Sequence, residues 1–133
     1  MKLNSLTDLL IEEYLPKEMS LTTKTVRRDN EADYSPFGYK VDFFDQDTHI
    51  GEASVCGILD DAAFLYDFVV YPEFRGKGYS KEMLQFMIDT YDIKQLYVKK
   101  TNTIAVNLYK KFGFIVNDEI ENDGEIELVM NRN

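Results

Sequence analysis

One short stretch of the chain concentrates the residue types that bind anions. In YPEFRGKGY, residues 71–79, Gly76 and Gly78 stand beside Arg75 and Lys77, with Ser80 and Lys81 directly after. A mostly apolar run precedes it and a helical pattern follows, so the stretch is a loop between a strand and a helix. The unpaired N–H groups and partial positive charge of a helix N-terminus suit a phosphate. Glycine lets the backbone come close to it, and Arg75, Lys77 and Lys81 surround the spot with cations. The phosphate loop G-x-x-x-x-G-K-[ST] has no match in the chain. The dinucleotide fingerprint G-x-G-x-x-G fails at its third glycine, where Lys81 stands. The pattern R-x-x-G-x-[GA] fits from Arg75 to Tyr79 and departs only at Ser80. A second candidate is Asp67, which interrupts the apolar run FLYDFVV. A buried carboxylate needs a reason. Asp67 is either a general base with a raised pKa or a backbone partner at a bulge. Asp60 and Asp61, in the turn before the run, are further base candidates, and a water relay is another route.

The elements that must hold these residues follow from hydrophobic periodicity. Residues 5–15 present Leu6, Leu9, Leu10 and Tyr14 on one side of a short helix that Pro16 stops. Residues 21–28, 39–44 and 50–58 have strand character, the last two as a hairpin, with a polar loop over 29–38. AAFLYDFVVYP, residues 62–72, is apolar enough for the middle of a sheet. From Ser80 the period changes: Met83, Leu84, Met87, Ile88 and Tyr91 recur at helical spacing. QLYVK is a strand, and Ile104, Ala105, Leu108, Tyr109 and Phe112 mark a second helix that Gly113 can end. Residues 113–120 and 125–130 form a final hairpin about the turn ENDG. The order of elements predicts one α+β domain over residues 1–133, with a mixed, mainly antiparallel sheet.

With the elements in place, the chain resembles the GNAT superfamily of acyl-CoA-dependent N-acyltransferases. FVVYPEFRGKGYSKEML is similar to that family's pyrophosphate-binding motif, including Pro72 three residues before Arg75. KKTNTIAVNLYKKFGF, residues 99–114, resembles its following segment, with Asn102, Ala105, Leu108, Tyr109, Lys111, Gly113 and Phe114 in register. The likeness is specific over about residues 62–115 and topological elsewhere. It implies a GNAT sheet splayed at its central strands, with flanking helices, and acetyl-CoA as co-substrate. Main-chain groups of Phe68, Val69 and Val70 would hold pantetheine, and the backbone from Gly76 through Lys77, Gly78 and Tyr79 to Ser80 would hold the pyrophosphate. Arg75, Lys77, Lys81 and Lys111 would supply positive charge. Asn102 would reach the pantetheine arm, act as a helix cap, or do both. Tyr109 would protonate the leaving thiolate, or else serve as a core aromatic. The implied reaction is direct attack of a primary amine on acetyl-CoA. The alternative is a non-catalytic CoA-binding or protein-interaction module of the same fold.

Composition sets the limits. The 133 residues carry a formal charge of −9, from 24 Asp and Glu against 15 Lys and Arg. Such a balance disfavours nucleic acid, which needs a basic face, and suits a cationic acceptor, either a small amine or a peptide. Where the family that the chain resembles usually has one or two helices, the chain has only the short 29–38 segment, and the resemblance then implies an open or reduced acceptor pocket, or one completed by another subunit, as in a homodimer. No run approaches the about 18 apolar residues of a membrane span, and Asp8, Glu12 and Glu13 break any signal-like apolar centre. A single cysteine, Cys56, and a single histidine, His49, leave no disulfide or zinc framework. We expect both to be structural, no metal, and a cytoplasmic setting.

Overall fold

The computed structural model describes residues 21–29, 37–58 and 61–133. The helix expected at 5–15, most of the 29–38 loop and the base candidate Asp60 lie outside them.

Seven strands form one sheet in the order β1-β2-β3-β4-β5-β7-β6. β1 (Leu21–Asp29) and β2 (Phe37–Asp45) pair antiparallel over their whole length. β2 then pairs with β3 (Thr48–Cys56), as the hairpin reading predicts. Strict alternation drives the burial: Val41 and Phe43 are fully enclosed, while Lys40 and Asp42, which alternate with them, face outward. β4 (Phe64–Val70) is antiparallel to β3 and parallel to β5 (Gln95–Lys99). A parallel neighbour needs a crossover, and helix α1 (Tyr79–Tyr91) supplies it. Helix α2 (Thr103–Lys111) leads from β5 to the closing hairpin of β6 (Ile115–Asn122) and β7 (Glu125–Asn131), with β7 inserted beside β5.

The core gathers Val41, Phe43, Val55, Leu65, Leu96 and Met130 of the sheet under Met83, Leu84, Met87 and Ile88 of α1. Gly51 makes this closeness possible. A Cβ there would meet the Val69 carbonyl oxygen at 2.5 Å and the Met83 sulfur at 3.1 Å. Helix α2 adds Val106 and Tyr109 to the same core, with Ala105, Leu108 and Phe112 half-buried against it. Ile104, expected on that apolar face, is instead 84% exposed. It stands in the first turn of α2. Gly113, at φ +93°, ends α2 as expected: its N–H reaches the Lys110 carbonyl, and that of Phe114 reaches the Tyr109 carbonyl. At the far end of α1, Arg132 donates to the Asp92 carboxylate and the Ile93 carbonyl, tying β7 to the helix terminus.

Two irregularities matter for the site. β4 and β5 share register only at Phe64 with Gln95 and Leu65 with Leu96, and they separate beyond that. β4 also carries a bulge. Ser54 faces Tyr66 and Glu52 faces Val69, so three steps on β4 oppose two on β3.

Candidate active site

The parting of β4 and β5 opens a cleft of about 750 Å³. One wall is β4 from Leu65 to Val70, and the other is β5 from Leu96 to Lys99. Beyond Leu65, β4 has no strand partner on the β5 side, so the main chain of Phe68, Val69 and Val70 borders the cleft along an open edge. Extended backbone with free donors and acceptors can pair with the amides of a ligand.

Asp67 sits at the bulge with φ +49°. Its side chain is exposed and lines the cleft. The premise that Asp67 is buried in an apolar run is therefore corrected. The extra residue breaks the alternation and turns this carboxylate outward, and Asp tolerates the left-handed conformation better than its neighbours would. Asp61, the other described base candidate, lies in an exposed turn and is not among the cleft residues.

The anion loop forms the upper rim. After a short 3₁₀ turn, Pro72–Phe74, Gly76 and Gly78 adopt φ +80° and +86°. A Cβ at either would meet nothing within 4 Å. Conformation rather than crowding therefore demands glycine here, and the space in front of the loop is open. Gly78 is the N-cap of α1 and offers no side chain to its first N–H groups. That uncapped turn faces the cleft through Gly78, Tyr79 and Ser80. Arg75 lines the cleft too, with Nε donating to the Val70 carbonyl at 2.8 Å, so one of its donors fastens the loop to the end of β4. The Tyr79 hydroxyl donates to Asp45, anchoring the same turn to β2. Lys77, Lys81 and Lys111 are exposed and outside the cleft wall.

Helix α2 closes the other side. Asn102 is its N-cap, with Oδ1 accepting from Ala105 N–H at 3.2 Å, so the capping expectation holds, and the residue also lines the cleft. Tyr109 lines the cleft from beneath. It is 6% exposed, with Phe68 and Phe114 ring centroids 6.3 Å and 6.0 Å away. Burial pushes its hydroxyl up to about 12. Among the described residues that hydroxyl has no hydrogen-bond partner.

Among the cleft residues that sequence reasoning missed, three stand out. Ile104 sits at the mouth, and Tyr97 and Glu127 come from β5 and β7. Nothing local marks Glu127, because only the pairing of β7 with β5 brings it there. A separate polar cluster occupies β2 and β3. Lys40 lies 3.1 Å from Asp42 and 3.5 Å from Glu52, and His49 lies 3.2 Å from Asp42. The Tyr71 hydroxyl donates to Glu52 at 2.7 Å, and burial together with that carboxylate raises it to about 12. Three possible metal ligands converge here, Asp42, His49 and Glu52, but the Lys40 ammonium already supplies their cation. His49 is wedged between Phe44 and Tyr71, and Cys56 is buried.

The family model for the acetyltransferase (GNAT) family matches residues 3–114, and the chain belongs to that family. A ribosomal protein bS18-alanine N-acetyltransferase of Haemophilus ducreyi is 35% identical over 77 residues, covering 54% of this chain and 52% of its own length. A spermine/spermidine N(1)-acetyltransferase of Bacillus subtilis is 34% identical over 68 residues, 47% of this chain and 45% of that protein. The chain thus spans about half the length of the curated relatives it matches. Among solved structures, a GNAT family acetyltransferase from Elizabethkingia anophelis with acetyl-CoA bound superposes with a TM-score of 0.63 at 14% identity, covering 85% of this chain and 97% of that one. The ribosomal-protein-S18-alanine N-acetyltransferase of Escherichia coli gives 0.64 at 21% identity, with 71% and 68% covered. These likenesses bear out the α+β GNAT fold. No helix among the described residues is long and apolar enough to cross a membrane.

Proposed function

We propose that this protein is a single-domain cytoplasmic enzyme that transfers an acetyl group from acetyl-CoA to a primary amine. The observation that carries the reading is the continuous cleft that opens where β4 and β5 part. It runs from an uncapped helix N-terminus, along an unpaired strand edge, to a buried phenol. Each feature answers one part of the donor. The N–H groups from Gly76 to Ser80 and the Arg75 guanidinium suit a pyrophosphate. The main chain of Phe68 to Val70 suits the pantetheine amides, and Asn102 borders the same path. The exposed Lys77, Lys81 and Lys111 contribute positive potential from outside the wall rather than direct contacts.

In the reaction, the neutral amine attacks the thioester carbonyl. Backbone N–H near Val70 holds the developing oxyanion, the C–S bond breaks, and the thiolate takes up a proton. Tyr109 stands at the end of the cleft to supply that proton or a hydrogen bond. A phenol at about 12 is a weaker acid than a thiol of about 8.5. Complete proton transfer is therefore uphill, and Tyr109 contributes chiefly as a donor that tightens as charge builds on sulfur. Asp67, exposed in the cleft, is the group we assign to take the proton that the amine nitrogen sheds once its bond to the carbonyl carbon has formed. Relatives that acetylate a ribosomal-protein alanine or a polyamine make an amine acceptor reasonable.

Calorimetry with acetyl-CoA, followed by thiol release with a panel of amines and peptides, tests this. We expect binding in the micromolar range and amine-dependent CoA release that Asp67→Asn lowers. Absence of acetyl-CoA binding at millimolar concentration would reject the reading. Binding with no transfer to any amine would leave the non-catalytic module in its place.

A further inference from the structure

The walls of the cleft differ between its two sides. Leu96 and Val98 of β5 point into the core beneath the helices, so the alternate residues Tyr97 and Lys99 project from the opposite face. Cross-strand partners share a face, so Glu127, opposite Lys99, projects there too. Phe64 stacks on Tyr66 and meets Tyr97 edge-on, placing both tyrosines on that side as well. Tyr66, Tyr97, Lys99 and Glu127 all line the cleft. The donor features, the α1 N-terminus and Tyr109, belong to elements on the helix side.

Glu127 has an unusual charge environment. Its natural cross-strand partner is Lys99, yet the Lys99 ammonium pairs with Glu125 instead, at 3.3 Å. Among the described residues Glu127 has no ion pair, and its one hydrogen bond comes from the neutral Asn122 amide at 3.4 Å. It is half-buried and faces a cleft that also holds Asp67, likewise without an ion pair among the described residues. On the same face and diagonal to it across the β5–β7 pair, Tyr97 leaves 46% of its surface open. A partly desolvated carboxylate next to an aromatic ring is a place for an ammonium, which gains from charge and ring quadrupole together.

We propose that Glu127 is a specificity-determining residue that binds a second positive charge of the acceptor, with the Tyr97 ring as its flank. The acceptor is then a dicationic amine: one amine reacts near Asp67, and a second cationic group a few bonds away rests at Glu127. This inference rests on the acetyltransferase reading of the same cleft.

The test compares kcat/KM for 1,3-diaminopropane, 1,4-diaminobutane and 1,5-diaminopentane with that for n-butylamine. A parallel arm uses short peptides whose terminal amine is followed by arginine or by alanine. These arms tell a free diamine from a basic peptide as the source of the second charge. We expect a preference of roughly fivefold or more for the dicationic member in at least one arm. Glu127→Gln should remove most of it through KM, with acetyl-CoA affinity as the check on folding. Glu121→Gln, on the same hairpin but outside the cleft, should keep the preference, which controls for net charge. No dicationic preference in either arm, or a preference that survives Glu127→Gln, overturns the proposal. Failure of the wild-type protein to bind acetyl-CoA is a different result: it removes the acetyltransferase reading and this inference with it.

Discussion

Tyr109 is held by three features of its surroundings. The glycine turn after α2 fixes its carbonyl through Phe114, Phe114 packs on its ring, and Phe68 of β4 covers the other side. Removing the hydroxyl alone should leave this packing intact. We therefore expect Tyr109→Phe to lower kcat by about a hundredfold, within the range for a positioned proton donor, while acetyl-CoA affinity changes little. Steady-state kinetics beside calorimetry checks both, and an unchanged kcat would assign the phenol to packing alone. The raised hydroxyl also makes a pH prediction. An unfolded tyrosine ionises near 10, whereas Tyr109 stays neutral until about 12. Its contribution is full below pH 10 and is lost as pH rises from 10 to 12, because the unfolded state alone gains from ionising there. Tyr71 titrates in the same window. Chemical denaturation across that range should show falling stability, with a shallower fall in Tyr109→Phe.

Among the elements, the loop and the start of α1 would bear most of the burden of the proposed anion binding. Gly78 takes a left-handed conformation at the N-cap, where any other residue costs roughly 1–2 kcal/mol. The surroundings are open, so Gly78→Ala does not clash. The substitution should cost about 1 kcal/mol in urea unfolding. It should weaken acetyl-CoA binding by more than the same free energy implies, because the N–H groups lose their aim. Equal losses in the two measurements would mean that the loop is only a turn. The bulge in β4 performs a comparable task for Asp67. One inserted residue converts a position that alternation would bury into a cleft carboxylate, at the point where pairing with β5 stops.

For the whole molecule, a basic rim on a chain of net charge −9 would separate the two substrates of the proposed reaction. The acidic surroundings would repel the anionic donor, and local N–H groups and cations would retain it. The same field draws a cationic amine. Raising NaCl from 0.05 to 0.5 M shortens the screening length from over 10 Å to about 4 Å. The KM for a cationic amine should therefore rise several-fold while that for acetyl-CoA, held by short contacts, changes less. Comparable shifts in both would argue against a field-guided acceptor.

Local chemistry was legible from the residues themselves. Gly113 announces a left-handed helix end and adopts it, and Gly76 and Gly78, read as letting the backbone approach a phosphate, take positive φ as well. The apolar alternation of β2 and the helical spacing of α1 carry enough periodicity to place their elements within two or three residues. Long-range placement was not legible. Asp67 read as buried because it interrupts an apolar run, and although a bulge was one reading of it, only the pairing of β4 with β3 shows that the bulge turns the side chain outward. Ile104 read as core because the first turn of a helix shares its period, yet it is exposed at the cleft. Glu127 carried no signal, since it enters the cleft only when β7 inserts between β5 and β6. Conformational preference is a property of a few neighbouring bonds and is written where those residues stand. The meeting of β4, β5 and β7 depends on how the sheet pairs and where it parts, and no single stretch of chain holds that information.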